Sequence, residues 1–159
     1  MAELDYGSAV GVVKDARSIV VCGHVNPDGD SLGSVLAVTL ALRSAGHQVT
    51  PLLATRDCPK PYDFLAGYED LTPACEYHAV PDLFISVDVP SAGRMADGEA
   101  VFNRARKTIA IDHHEGPGDF ADLNFVDSDA AAAGMLVWDF IEALGIERTP
   151  EIATCCYTA

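Results

Sequence analysis

The sequence is short of positive charge: 10 Lys and Arg stand against 24 Asp and Glu, a formal net charge of −14. A chain this acidic lacks the cationic surface that neutralises duplex phosphates, so broad contact with double-stranded nucleic acid is excluded. A small phosphorylated ligand is not excluded, because bound cations reverse the local sign of an acidic site. Also missing is any apolar run of the ~18 residues that cross a bilayer. Met1 to Tyr6 is acidic and polar, wrong for a signal peptide, so a cytoplasmic chain with no membrane partner is expected. Cys22, Cys58, Cys75, Cys155 and Cys156 include no Cys-x-x-Cys pair and no disulfide-like framework. Cys22 sits in an apolar stretch and reads as core. There is no internal repeat or low-complexity tract; Ala130 to Ala133 is too short to be one and reads as helix.

What is present is enough apolar residue for a real core in one domain of 159 residues. Ser18 to Cys22 is a short β-branched run, a buried strand. A loop covers His24 to Asp30, and from Ser31 the apolar spacing predicts a helix that Gly46 stops. Gln48 to Ala54 reads as a strand, at an edge because of Pro51. Thr55 to Pro81, with its prolines and aromatics, reads as loops and short helices. Asp82 to Val87 and Thr108 to Ile111 read as strands, with a short one at Phe125-Val126. Gly98 to Lys107 and Ala130 to Leu144 read as helices, the latter ended by Gly145. Thr149-Pro150-Glu151 has the cap, proline and acid of a helix start. Alternating strands and helices predict an α/β fold in three layers: a mainly parallel, five-stranded sheet with helices on both faces.

Sites in such sheets form at the carboxyl ends of the strands. There the sequence places His24, Asp28 and Asp30, then Asp88, then Asp112, His113 and His114, including three of its five histidines. Pro27 stiffens the first loop, and Gly29 allows a tight turn between two acids that could face different ions. Gly33 and Ser34 are expected in the first turn of the next helix, whose free N–H groups favour a phosphate oxygen. A solvated Asp-Gly turn, with Asp30 or Ser31 as helix cap, would fit that loop equally well. Asp88 closes an apolar run, where an acid is costly unless paired or metal-bound. Adjacent histidines after a buried strand are hard to explain by packing: one can ligate a metal while the other faces substrate, with Asp112 fixing an imidazole. Oxygen and imidazole donors without thiolate suit Mn²⁺, and Mg²⁺ or Zn²⁺ less well. Arg94 is a candidate phosphate contact or, equally, a solvated surface residue.

Together these clusters resemble the DHH superfamily of phosphoesterases. His24-Val-Asn-Pro-Asp-Gly-Asp-Ser-Leu-Gly-Ser34 matches its first motif, Val87-Asp88 with Arg94 its second, and Asp112-His113-His114 its third. The likeness is greatest to the RecJ-related branch of bacterial nanoRNases and pAp phosphatases. It implies a Mn²⁺-dependent hydrolase, with Mg²⁺ an alternative, using two ions on very short RNA or 3′-phosphoadenosine-5′-phosphate, and a homodimer is compatible with it. By resemblance His24 and Asp28 hold one ion, Asp30 and His113 the other, and Asp88 bridges them. His114 contacts the scissile phosphate, Asp112 supports the site, and Arg94 and Ser34 join His114 in binding substrate. Two departures stand out. Ala131-Ala132-Ala133-Gly134-Met135 replaces a stretch usually rich in hydroxyls. Residues 1–159 are also expected to be a catalytic domain truncated before a fourth motif, an Asp-Thr-Gly-like turn, and without the smaller C-terminal DHHA1-type domain. Two other readings are a manganese-dependent inorganic pyrophosphatase and a nucleotide-binding module without turnover.

Overall fold

The computed structural model describes residues 4–116 and 119–159; Met1, Ala2 and Glu3, from the acidic start noted above, lie outside them. The chain runs α1 (Gly7–Asp15), β1 (Ser18–Cys22), α2 (Gly29–Ser44), β2 (Gln48–Leu53), β3 (Thr72–Pro73), β4 (Leu83–Val87), α3 (Asp97–Phe102), β5 (Lys107–Asp112), β6 (Leu123–Val126), α4 (Ala133–Ala143) and α5 (Pro150–Thr158). The strands form one sheet in the order β3-β2-β1-β4-β5-β6, and every adjacent pair is parallel. The sheet thus has six strands where five were expected; the extra one is the two-residue β3, too short for any periodicity to reveal.

The central strands are buried on both faces. Along β1, Ile19 and Val21 enter one apolar cluster and Val20 and Cys22 the other, as the two-residue period of a strand requires. The first cluster is closed by α1, α2, α4 and α5, the second by α3 and the turns around Ala74 and Met95. This is the expected three-layer arrangement. Cys22 is core, as read, and burial pushes its thiol up to about 12. Among the described residues no helix is long and apolar enough to cross a membrane.

Pro51 sits opposite Val21 of β1, but β3 reaches β2 only at Leu52 and Leu53. The edge that Pro51 implied is therefore a local one, on a strand that gains a second neighbour only beyond it. Gly46 and Gly145 adopt positive φ, +93° and +70°, and end α2 and α4 as expected. Thr149 caps α5 by accepting the Ile152 N–H. Several boundaries differ from the sequence reading, among them three helix ends. Helix α2 starts at Gly29 rather than Ser31, because the Asp28 carboxylate accepts the Ser31 N–H and caps it. Helix α3 ends at Phe102, because the Arg106 and Lys107 amides already donate to Pro81 and Asp82 carbonyls at the start of β5. Helix α4 starts at Ala133 rather than Ala130.

Helix α2 is buried along most of its length, and α5 crosses it so closely that side chains are excluded. A Cβ on Gly33 would lie 2.4 Å from the Cys155 carbonyl oxygen, and one on Gly29 would lie 2.7 Å from that of Thr158. Main-chain atoms cannot rotate away, so Gly33→Ala is expected to cost about 1–3 kcal/mol by overpacking. Thermal unfolding should show this as a fall of ~2–4 °C per kcal/mol. At Gly11 in α1, where an added Cβ meets nothing within 4 Å, alanine should stabilise by ~1 kcal/mol through helix propensity.

Candidate metal centre

Strand order reverses between β1 and β4, and the crevice past the carboxyl ends of such a pair is where parallel sheets bind ligands. His24 follows β1, Asp88 follows β4, and Asp112, His113 and His114 end or follow β5, the next strand. Asp88 is 2% exposed and lies at the middle of the group. Its Oδ2 is 3.2 Å from His24 Nε2, and its Oδ1 is 3.4 Å from His113 Nε2 and 3.6 Å from His114 Nδ1. The backbone turns there through φ +59°, a left-handed conformation that Asp tolerates better than most residues. Asp28 Oδ1 is 3.7 Å from His24 Nε2, and Asp30 Oδ2 is 3.3 Å from His113 Nε2.

Backbone carbonyls set the tautomers of two imidazoles. His24 Nδ1 lies 2.8 Å from the Val25 carbonyl oxygen and His113 Nδ1 lies 3.2 Å from that of Ala130. A carbonyl only accepts, so each Nδ1 carries the proton and each Nε2 faces the carboxylates. Something positive must then lie between Nε2 and the acids: a second ring proton or a metal ion. At His24, the hydrogen bond to Asp88 raises the imidazole pKa above its ordinary value, against the opposing effect of burial. His114 differs. Its Nδ1 lies 2.8 Å from Asp112 Oδ1, a buried carboxylate that accepts the hydrogen bond from Nδ1–H and leaves Nε2 without that constraint.

Asp30 is held from elsewhere. Its Oδ2 accepts the Ala133 N–H at 2.8 Å, and its Oδ1 accepts the Gly134 N–H at 3.0 Å and the Ser34 hydroxyl at 3.3 Å. Its pKa is raised, chiefly by burial, although the two amides pull the other way.

The residues fit a divalent ion. Asp88 Oδ1 is buried without a hydrogen-bond partner, which is costly for a carboxylate and is relieved by coordination. His24, Asp28 and Asp88 offer ligand atoms all within 4.8 Å of one another, as do Asp88, His113 and His114. Asp30 is in neither set and adjoins the centre through His113. In the second set His114 lies nearest Asp88 through Nδ1, whose N–H already donates to Asp112.

The other two residues expected to bind substrate, beside His114, fare differently. Ser34 is fully buried and donates to Asp30; it lies in the second turn of α2, not the first, so its hydroxyl steadies a carboxylate instead of facing a phosphate. Arg94 is exposed, in a turn whose carbonyl accepts the Val25 N–H beside His24, and its side chain pairs with no described residue. Five supports went unread in the sequence. Ser31 Oγ accepts the His24 N–H at 3.1 Å, and Val25, Ala130, Ala133 and Gly134 act through their backbones, which no side-chain pattern signals. A mostly apolar cavity of about 620 Å³ between α4 and α5, lined by Gly134, Met135, Trp138 and Tyr157, takes in none of the acids or imidazoles of the centre.

Among known proteins, residues 18–159 match the family described as DHH family, N-terminal domain. The bifunctional oligoribonuclease and PAP phosphatase NrnA of Thermus thermophilus is 34% identical over 142 residues, covering 86% of this chain and 40% of that protein. A probable bifunctional oligoribonuclease and PAP phosphatase NrnA of Streptococcus mutans is 28% identical over 145 residues, covering 91% and 45%. The chain therefore spans less than half the length of these curated relatives. In fold it is similar to an exopolyphosphatase-related protein from Bacteroides fragilis, with a TM-score of 0.86 and 23% identity over 100% of this chain and 51% of the other. It is also similar to a manganese-bound exonuclease RecJ, with a TM-score of 0.55 and 19% identity over 98% and 42%.

Proposed function

The chain belongs to the DHH family, and from that membership and the geometry of its centre we propose that it is a metal-dependent phosphoesterase acting on very short oligoribonucleotides and 3′-phosphoadenosine-5′-phosphate. The observation that carries the metal is the buried, unpartnered Asp88 oxygen facing His113 and His114. The named activities of the NrnA relatives support the substrate class.

In this reading His24, Asp28 and Asp88 would hold one ion, and His113, Asp30 and Asp88 would hold a second. Mn²⁺ suits the mixed oxygen and imidazole donors better than Mg²⁺ does. Bound there, the ions supply Lewis acidity at the phosphoryl oxygens and lower the pKa of a water. Val25 and Ala130 keep His24 and His113 in the tautomer that presents Nε2. Asp112 does the same for His114, whose half-exposed ring presents Nε2 to a phosphate and can give or take a proton there. Arg94, exposed beside the His24 loop, would offer positive charge to the rest of the anion.

The test is release of phosphate from 3′-phosphoadenosine-5′-phosphate, and of mononucleotide from a 5′-phosphorylated dinucleotide, with Mn²⁺ and with a chelator; pyrophosphate serves as comparator. Mn²⁺-dependent turnover of the nucleotides is expected. Turnover of pyrophosphate alone, or nucleotide binding without turnover, would sink the proposal. His114→Ala should lower kcat by about 10²–10⁴-fold, the usual worth of a positioned proton-transfer group, while calorimetric Mn²⁺ affinity stays unchanged.

A further inference from the structure

Helix α4 starts without a cap of its own. Ala132 occupies the N-cap with φ −156° and ψ 153°, and its own side chain accepts none of the first amides. Such amides need acceptors. Two of them find one in Asp30, across 103 and 104 residues of sequence, with Ala133 N donating to Oδ2 and Gly134 N to Oδ1. The helix start is pressed into place from the other side. A Cβ on Gly134 would lie 2.3 Å from the Ala159 Cβ and 3.1 Å from the Cys156 carbonyl oxygen, so α4 meets α5 there with no slack. With an amide on each oxygen, the carboxylate cannot rotate about its Cβ–Cγ bond, and Oδ2 is kept 3.3 Å from His113 Nε2.

We propose that the first turn of α4 is a positioning element of the metal centre: the Ala133 and Gly134 amides orient Asp30 toward the ion position it shares with His113. The inference rests on the metal-dependent reading of the site. Here main-chain donors aim the acid, so the alanines of this stretch need no hydroxyl for the task. An ion drawing on Asp30 and a helix capped by Asp30 are then linked, each altering the free energy of the other.

Ala133→Pro tests this directly. Proline is well tolerated at the first helical position, and the preceding residue is already extended. The substitution deletes the N–H and sets a ring carbon against Asp30 Oδ2. Calorimetric Mn²⁺ affinity is expected to fall about 10–100-fold, as it does when other groups that orient a ligand are lost. Gly145→Ala strains the left-handed stop at the far end of the same helix, φ +70°, and is expected to lower stability but leave Mn²⁺ affinity unchanged. Equal weakening in both variants, or none in Ala133→Pro, overturns the inference. Should Ala133→Pro not fold, a Mg²⁺ titration of the unaltered protein followed by amide NMR decides. The Ala133 and Gly134 resonances are expected to move along the ion-binding curve, and resonances that stay still overturn the inference. A protein that binds neither ion overturns the proposed function as well; binding that Ala133→Pro leaves intact overturns this inference alone.

Discussion

Asp88→Asn is expected to remove Mn²⁺-dependent turnover almost entirely and, at alkaline pH, to leave the ion-free protein more stable than the parent. Both effects come from one atom. Asp88 Oδ1 is buried with no hydrogen-bond partner, and the same carboxylate faces His24, His113 and His114. An ion stabilises developing charge by several kcal/mol, and each 1.36 kcal/mol is a factor of ten, so losing the shared ligand should cost about 10³-fold or more in kcat/KM. Without the ion the substitution works the other way. Asn has the same shape, suits the φ of +59°, and carries no charge to bury.

His24 limits the gain. Its pKa is raised above the ordinary 6.5 by the hydrogen bond to Asp88. Their pairing therefore stabilises the fold in full below 6.5 and is lost as pH rises through the higher folded value. Asp88→Asn should accordingly be least favourable under acid conditions and most favourable once His24 is neutral. Melting with and without Mn²⁺ at several pH values checks both claims. A variant that keeps the Mn²⁺-induced rise in Tm, or that is less stable than the parent without ion at alkaline pH, contradicts them.

The second large effect is expected at Gly23, which has no side chain to offer a metal or a substrate. A Cβ there would sit 2.0 Å from Ser31 Oγ, 3.3 Å from Ser31 Cβ and 3.4 Å from Val35 Cγ2. Ser31 cannot step aside, since it is fully buried in α2 and its Oγ accepts the His24 N–H. Gly23→Ala should lower stability by about 1–3 kcal/mol through overpacking and weaken Mn²⁺ binding about 10–100-fold by shifting His24. The double variant Gly23→Ala/Ser31→Ala separates the two effects. Deleting the hydroxyl relieves the clash, so Tm should largely return, but the anchor of the His24 amide is gone and Mn²⁺ affinity should stay low. If affinity returns together with Tm, Ser31 is a packing residue and not an anchor.

The candidate ligands were legible in the sequence because their signal is local. A short β-branched run followed at once by an acid or imidazole fixes where His24, Asp88 and Asp112 stand in a parallel sheet, and three such runs converge on one edge. The order of strands, and so the reversal between β1 and β4, came from the alternation of elements only as a class. Helix α1 was not read: Gly7 to Asp15 includes two glycines and few long apolar residues, and it is held by tertiary contacts such as the Tyr6 hydroxyl donating to the Leu136 carbonyl oxygen at 3.1 Å. The start of α2 was misplaced because Asp, Gly and Ser all suit a helix start, and only the hydrogen bond to Asp28 selects among them. The start of α4 was illegible for a deeper reason. Four consecutive alanines favour helix throughout, and what ends the helix at Ala133 is a carboxylate more than 100 residues away. Ser34 falls in the second turn of α2 and not the first because that helix starts two residues earlier than its apolar spacing shows.

That long-range closure also bears on the order in which the chain is made. Asp30 leaves the ribosome 103 residues ahead of Ala133, which at ~5–20 residues per second is roughly 5–20 s. During that interval the loop from His24 to Asp30 has its acids but neither the amides of α4 nor the carbonyl of Ala130. A half-built centre of this kind is an open cluster of carboxylates with no fixed geometry and little power to discriminate among divalent ions. On the proposed metal-binding reading, the geometry that would select an ion forms only when α4 docks, so the choice of ion would belong to the folded chain and not to the nascent one.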